Sequence, residues 1–464
     1  MLFGWTRRAL CACLIVAAVG LTAGLAAAAP LSWETAIEAP GTAALNTGGN
    51  AEITTVSCGA TGACAAGGFY FDENGVRHAF IQNSGAAWSE AIQVSGTETA
   101  ADAQLLTVSC PDSTYCGAGG YSTGPDGNNA WILEGYNGVW GSAVAVQGAP
   151  GVSLGGNPEV TSISCPSVGN CTAGGVYLDG GGVQEPFVVD EKNGVWGGAI
   201  PVPNIPTLNY SSAFLGSVSC KSVGNCSAGG SYSDNNGAWQ AWVAIEKGGV
   251  WKKAIKLPGT AAKNLGNYAA TLSVSCGAVG YCSAGGFYTD ANNVRQAFVA
   301  KETMGVWRAA VKVSGTGAVN TSGAQLTSVS CRGQSSCAAG GFYIDSNGYY
   351  QAFVVTEKQG VWGAKKLVAP PSMSHSQVTS VSCATAGNCI AGGFNFDGGQ
   401  QAFVVRETSG TWGTPTTAPG SADLNAAGLA SVNSVSCAKA ATSCTIGGYY
   451  TDSSGLRQAF VTAP

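Results

Sequence analysis

Residues 273–307 read SVSCGAVGYCSAGGFYTDANNVRQAFVAKETMGVW, and the chain repeats this phrase, with variations, eight times. The first cysteine of the phrase recurs as Cys58, Cys110, Cys165, Cys220, Cys276, Cys331, Cys383 and Cys437, a period of 52 to 56 residues. A second cysteine follows each one: Cys64, Cys116, Cys171, Cys226, Cys282, Cys337, Cys389 and Cys444. Then come a small-residue run, an aromatic, an Asp-containing turn, a near-constant QAFV, a Gly turn and a Trp. A fixed period of this size marks repeated supersecondary units, none of which can bury a core alone.

Within unit five, the β-branched and small residues at 272–276 predict a first strand, and 282–288 a second. The two glycines of AGG let neighbouring backbones approach closely. Turn chemistry fills 290–293. A third strand is predicted over 296–301, and its AFV run suits a strand covered on both faces. After the Met304-Gly305 turn, a fourth strand is predicted over 306–313, carrying Trp307.

Four short antiparallel strands every fifty-odd residues are the pattern of a β-propeller blade. The chain stops just after the third strand of unit eight. Near the N-terminus, residues 31–41 (LSWETAIEAPG) form a Trp strand with no unit before it. The sequence therefore predicts an all-β fold: a single eight-bladed β-propeller over residues 29–464. The N-terminal strand 31–41 would complete the 434–462 blade, closing the ring and leaving no free sheet edge.

Residues 1–28 carry Arg7 and Arg8, an apolar run and a small-residue exit, the pattern of a secretory signal peptide cut after Ala28. No membrane span is expected once it is removed, and the mature chain is expected to be extracellular or associated with the cell surface. Losing two arginines takes the net charge from −5 to −7. An acidic chain without basic clusters is a poor partner for nucleic acid or an anionic membrane.

Sixteen cysteines in eight evenly placed pairs behind a secretion signal imply disulfides within each unit. The pairs are Cys58–Cys64, Cys110–Cys116, Cys165–Cys171, Cys220–Cys226, Cys276–Cys282, Cys331–Cys337, Cys383–Cys389 and Cys437–Cys444. Structural zinc would need about four ligands per site at tighter spacing, and His78 and His375 fall outside the cysteine pattern.

The pattern SVSC…C.AGG…Y.D..G..QAFV…GVW resembles the tandem extracellular repeats of secreted actinobacterial proteins, including those called HAF repeats. More distantly, its double Gly, aromatic and distal Trp are similar to kelch blades. The resemblance spans nearly the whole chain after the leader. It implies secretion and a propeller-like structure, and brings no established activity.

Candidate binding residues are the turn aspartates Asp72, Asp179, Asp234, Asp290, Asp345, Asp397 and Asp452, with Asp126 displaced in unit two. They could ring one face for Ca²⁺ or sugar hydroxyls. Alternatively, each closes its own turn through bonds to backbone. One carboxylate per unit is too few for a calcium site unless neighbours contribute, so no cofactor is expected.

The repeated Glu191, Glu246, Glu302, Glu357 and Glu407 read as solvated edge charges, and the repeated tryptophans as packing between units. Tyr136, Tyr210, Trp239, Trp242, Tyr268, Tyr349 and Tyr350 depart from the consensus and could serve carbohydrate or protein surfaces. No catalytic constellation is visible. The sequence therefore points to a monomeric, non-catalytic scaffold that binds a glycan, cell-wall polymer or protein through its Asp-turn face. The alternative is a carboxylate-dependent glycoside hydrolase or lyase at a central channel, which needs Asp102, Glu159, Glu185 or Asp423 to converge.

Overall fold

The computed structural model describes residues 31–462 apart from 61, 126, 369–373, 397 and 442. The predicted signal peptide and Asp397 lie outside the described residues. What is described is all-β, with three four-residue helices, Thr42–Leu45, Ile205–Leu208 and Ser421–Leu424, in the connections between units.

Unit five shows how the phrase folds. Its strands are Ala269–Ala278, Tyr281–Thr289, Arg295–Thr303, Val306–Trp307 and Val311–Lys312. Cys276 and Cys282 lie directly opposite across the first hairpin, which is the register their disulfide requires. All eight predicted disulfides are present, with Cα atoms 3.9 to 4.3 Å apart. A bulge between Thr271 and Ser273 bends the first strand.

The two glycines of AGG have separate reasons. A Cβ on Gly286 would stand 2.0 Å from the Ala270 carbonyl oxygen of its own first strand. One on Gly285 would press on Val329 of unit six at 2.7 Å. The fourth strand differs from expectation: it is two short pieces, pairing at Glu302↔Trp307 and at Val299↔Val311. Between them the Ala310 N–H leaves its own sheet and donates to the Pro258 carbonyl of the connection before the unit, at 2.7 Å.

The units form open sheets of four or five strands. Units one and two share a nine-stranded sheet through a single parallel bridge, Arg77↔Asp102. The first strand of each unit packs against the first strand of the next, and that of unit eight, Ser431–Cys437, packs against that of unit one, Ala51–Ala60.

The SVS segment explains this packing. The free edge of each first strand has N–H groups with no strand partner, and buried donors of that kind must be satisfied. The serine hydroxyls of the preceding unit accept from them: Val329 N–H to Ser273 Oγ and Cys331 N–H to Ser275 Oγ, both at 3.0 Å. The same bonds run from unit one back to unit eight, Val56 to Ser434 Oγ at 3.0 Å and Cys58 to Ser436 Oγ at 2.9 Å. Arg332 of unit six reaches further, donating to the Cys383 carbonyl at 2.6 Å and the Cys437 carbonyl at 3.2 Å in the next two units.

The N-terminal strand Ala36–Glu38 pairs antiparallel with Arg457–Thr462, in the register Ala36↔Thr462, Ile37↔Val461 and Glu38↔Phe460. The apolar cores straddle adjacent units. Ala241 and Val243 of unit four pack with Val274, Phe298 and Trp307 of unit five, and Ala459 and Val461 of unit eight with Ile53 and Trp88 of unit one. The QAFV phenylalanines fill these cores. In unit four that place is taken by Trp242, which is fully buried and is therefore a core residue rather than a surface aromatic.

Candidate functional site

The Asp turns and the connections between units lie at one end of the sheets. The disulfide hairpins and the Gly turns before Trp meet at the other, as in the Gly305 N–H bond to the Gly280 carbonyl. At the first end each described aspartate is bound into its own turn. Asp290 Oδ1 accepts from the N–H groups of Asn292 and Val294, and Oδ2 from Gln296 Nε2 at 2.8 Å. Asp234, Asp345 and Asp452 repeat this with Gln240, Gln351 and Gln458.

Asp72 has His78 in place of Gln. The Val76 N–H and then His78 hold its carboxyl below the ordinary value. Burial works against Asp234, Asp290 and Asp452, but their Gln and backbone donors still hold them low. Asp179 Oδ1 accepts from Gly181 and Val183. The Gln position is Glu185 in that unit, and burial, with Asp179 nearby, pushes it up to about 7.

The chain extends outward from these glutamines. Asn264 and Asn320, in the connections that follow units four and five, donate to the backbone carbonyls of Trp239 and Arg295 and to the side chains of Gln240 and Gln296. Asn46, near the N-terminus, makes the same pair of bonds to Arg457 and Gln458 of unit eight. These asparagines were missed in the sequence although a signal was there: Asn46, Asn209, Asn264, Asn320 and Asn425 each stand 11 or 12 residues before the first cysteine of the following unit.

The repeated glutamates are not edge charges. Glu191, Glu246, Glu302, Glu357 and Glu407 are all buried, turned against the preceding unit. Glu302 accepts from Ser227 at 2.6 Å, Glu407 from Thr356 at 2.5 Å and Glu191 from Tyr115 at 2.9 Å, while Glu357 pairs with Lys301. Glu246 has no hydrogen-bond partner on either oxygen. Burial, with Asp190 beside it, pushes Glu246 up to about 7, and burial with Glu134 beside it does the same to Glu191. Their proximity to a turn suggested solvent. The pairing Glu302↔Trp307 instead places them beneath the Trp, where the sheet of the preceding unit covers them.

The tryptophans join units as expected. Trp140 Nε1 donates to Asn83 at 3.0 Å, Trp412 to Thr356 at 2.8 Å, and Trp88 to the Thr462 carbonyl at 2.8 Å, each in the preceding unit. Trp33 lies under Arg406 of unit seven, 4.7 Å from ring centroid to guanidinium.

Two groups of rings remain open at the Asp-turn end. Phe214, Trp239 and Tyr268 form a row across units four and five, with centroids 5.5 and 6.1 Å apart in turn, and the buried Phe287, 5.0 Å from Tyr268, backs it. Arg295 lies over Tyr268 and Phe287 at 5.0 and 4.6 Å. Its counterparts Arg77 and Arg457 pair with Asp102 and Glu52, whereas Arg295 has no carboxylate partner among the described residues. Tyr210 stands 70% exposed on the connection before unit four. In unit six, Tyr349 and Tyr350 gather round His375 at 5.4 and 5.3 Å.

A third opening lies away from this end. Tyr136, Trp140 and Trp196 line a cavity of about 700 Å³ between the outer strands of units two and three, with Glu134 on its wall.

The four non-repeated acids sit in separate elements, though Asp102 and Glu159 both lie near Tyr121. Asp102 is bound by Arg77 at 2.6 Å between units one and two, and Glu185 by Asn209 at 3.0 Å toward unit four. Asp423 lies in the short helix before unit eight, and Glu159 opens the first strand of unit three. Among the described residues no three His, Cys, Asp or Glu side chains gather as a metal site, and no helix is long and apolar enough to cross a membrane.

No protein family matches the chain, and no curated relative does. Among solved structures, the fold is similar to Chaetomium thermophilum Sqt1 bound to the N-terminus of ribosomal protein L10. Identity there is 10%, over 90% of this chain and 97% of that one, with a TM-score of 0.50. A Dyadobacter fermentans protein of unknown function is 9% identical, over 93% of this chain and 98% of that one, with a TM-score of 0.39. A polysaccharide lyase, an ulvan lyase bound to a GlcA–Rha3S unit, is 10% identical over 76% and 90%, with a TM-score of 0.43. Likeness of this degree concerns the fold alone.

Proposed function

We propose that this chain is a secreted eight-bladed β-propeller, closed by its N-terminal strand, that binds an extracellular glycan without catalysis. Closure is supported by sameness across the junction. The serine and asparagine bonds that join units eight and one repeat those between other neighbours, and the N-terminal strand pairs with the third strand of unit eight as the outer strand of unit five pairs with its own. Secretion is supported by eight disulfides, which persist in oxidising compartments, and by the leader pattern at 1–28.

The observation that carries the binding reading is the row Phe214–Trp239–Tyr268, backed by the buried Phe287, beside the acid-free guanidinium of Arg295. Aromatic faces take the apolar face of a sugar ring, and a guanidinium fork donates to its hydroxyls. Such groups on the loops of a stiff scaffold are where binding is generally found. The turn aspartates Asp72, Asp179, Asp234, Asp290, Asp345 and Asp452 would close the turns behind this face rather than contact the glycan, without Ca²⁺.

The test is an array of glycans and cell-wall polymers, probed with wild type and with Trp239→Ala/Tyr268→Ala, with and without a calcium chelator. The reading expects at least one glycan class to bind, unchanged by chelation, and the double variant to lose about tenfold or more in affinity. A blank array, or a double variant that binds like wild type, would sink it.

A further inference from the structure

Unit two breaks the repeat where its third strand turns toward the Trp. It reads LEGYNGVW over 133–140, where unit three reads VDEKNGVW over 189–196. Three changes follow. Gly135 takes the place of the buried Glu191, and a Cβ there would stand 2.8 Å from the Trp140 ring, so the ring settles onto the glycine. Tyr136 takes the place of Lys192, exchanging a cation for an aromatic. Glu134 takes the place of Asp190 and faces the next unit, where its Oε1 accepts from Trp196 Nε1 at 2.6 Å.

The result is the cavity of about 700 Å³, within the range of small-molecule sites. Ile132, Val144 and Val189 give it an apolar floor, Tyr136, Trp140 and Trp196 aromatic walls, and Glu134 is the one charged side chain on its lining.

The charges around it are unbalanced. Three of the other buried glutamates have a lysine for company: Glu246 has Lys192, Glu357 has Lys301, and Glu407 has Lys358. Glu134 has no cation among the described residues; its Oε2 has only the Tyr136 hydroxyl, at 3.5 Å. Behind it Glu191 is 2% exposed, and its Oε1 has no hydrogen-bond partner. Two carboxyl groups thus meet beside an apolar, aromatic-walled space that lacks a positive charge. Aromatic faces attract cations, most strongly where water is excluded.

We propose that the cleft between units two and three binds a small organic cation, an ammonium or methylated ammonium group on an apolar body. Glu134 would take the charge, and Tyr136, Trp140 and Trp196 would face it with their rings. The site is separate from the aromatic row of units four and five and stands or falls independently of it.

The probes are benzyltrimethylammonium and, as its uncharged counterpart, benzyl alcohol. They are titrated into the disulfide-intact protein at about pH 8 by calorimetry and tryptophan fluorescence. The cation should bind saturably and about tenfold or more tighter than the alcohol, and Glu134→Gln should weaken it by about tenfold. Val144→Phe, at a position 67% exposed and so tolerant of a larger side chain, should block the cavity while leaving the carboxylate in place. The proposal is overturned if the cation does not bind, if the alcohol binds as tightly, or if either folded variant binds the cation like wild type.

Discussion

Replacing Glu246 by Gln should stabilise the protein at neutral and alkaline pH and leave it unchanged in mild acid. The side chain is 4% exposed, and neither oxygen has a hydrogen-bond partner. Burial and the neighbouring Asp190 raise its pKa from 4.5 to about 7. Below about pH 4 the carboxyl is protonated in both folded and unfolded chains and does not affect the balance. Between about pH 4.5 and 7 only the folded chain keeps the proton, so stability falls as pH rises.

Above that window both states are charged, and the folded state bears the full penalty. A shift of roughly 2.5 pKa units corresponds to about 3 kcal/mol. Glutamine is the same size and neutral throughout, and its amide can donate to Asp190. Wild type and Glu246→Gln would be melted by calorimetry at about pH 4 and about pH 8. The variant should melt several degrees higher than wild type near pH 8 and within error of it at the acid end. If the two proteins lose the same stability between these pH values, Glu246 is not buried as a neutral acid and the reasoning fails.

Three further outcomes follow from the same contacts. Asn320→Ala removes the donor to the Arg295 carbonyl and the acceptor for Gly323 N–H, and should destabilise by about 2 kcal/mol in a thermal melt. Asp290→Ala strands Gln296 and two turn N–H groups; it should cost about 1 to 2 kcal/mol of stability while glycan affinity, measured on the same sample, stays put. Removing one bridge with Cys276→Ser/Cys282→Ser should cost about 2 kcal/mol, a modest amount because the closed loop is short, and circular dichroism should show the fold intact.

The repeat, its strand order and all eight disulfides were legible because each is written as a local pattern at a fixed offset from a cysteine. So was the N-terminal strand's partner, since residues 31–41 matched a Trp strand that unit eight lacked. The role of the SVS serines was not. Their hydroxyls act across units, on donors more than fifty residues away, and nothing in one phrase reveals which edge is left unpaired.

The repeated glutamates misled for a related reason. A charged residue next to a turn looks solvated until the neighbouring sheet is placed over it. Trp242 and Trp239 show the limit on single residues. Three positions apart in one strand, one is core and the other lies in the open aromatic row. The cleft at Glu134 was visible only as a departure from consensus, LEGY against VDEK, whose meaning depends on the unit beside it.

The central claim is that the N-terminal strand closes the ring. Its most direct test is to delete residues 31–41 from the mature protein and follow size by light scattering and stability by calorimetry. Closure predicts that Arg457–Thr462 loses its outer partner and Arg406 of unit seven the Trp33 ring it covers. The exposed edge should then drive oligomers, and the melting temperature should fall. A deletion variant that stays monomeric and melts with wild type would contradict the closed ring.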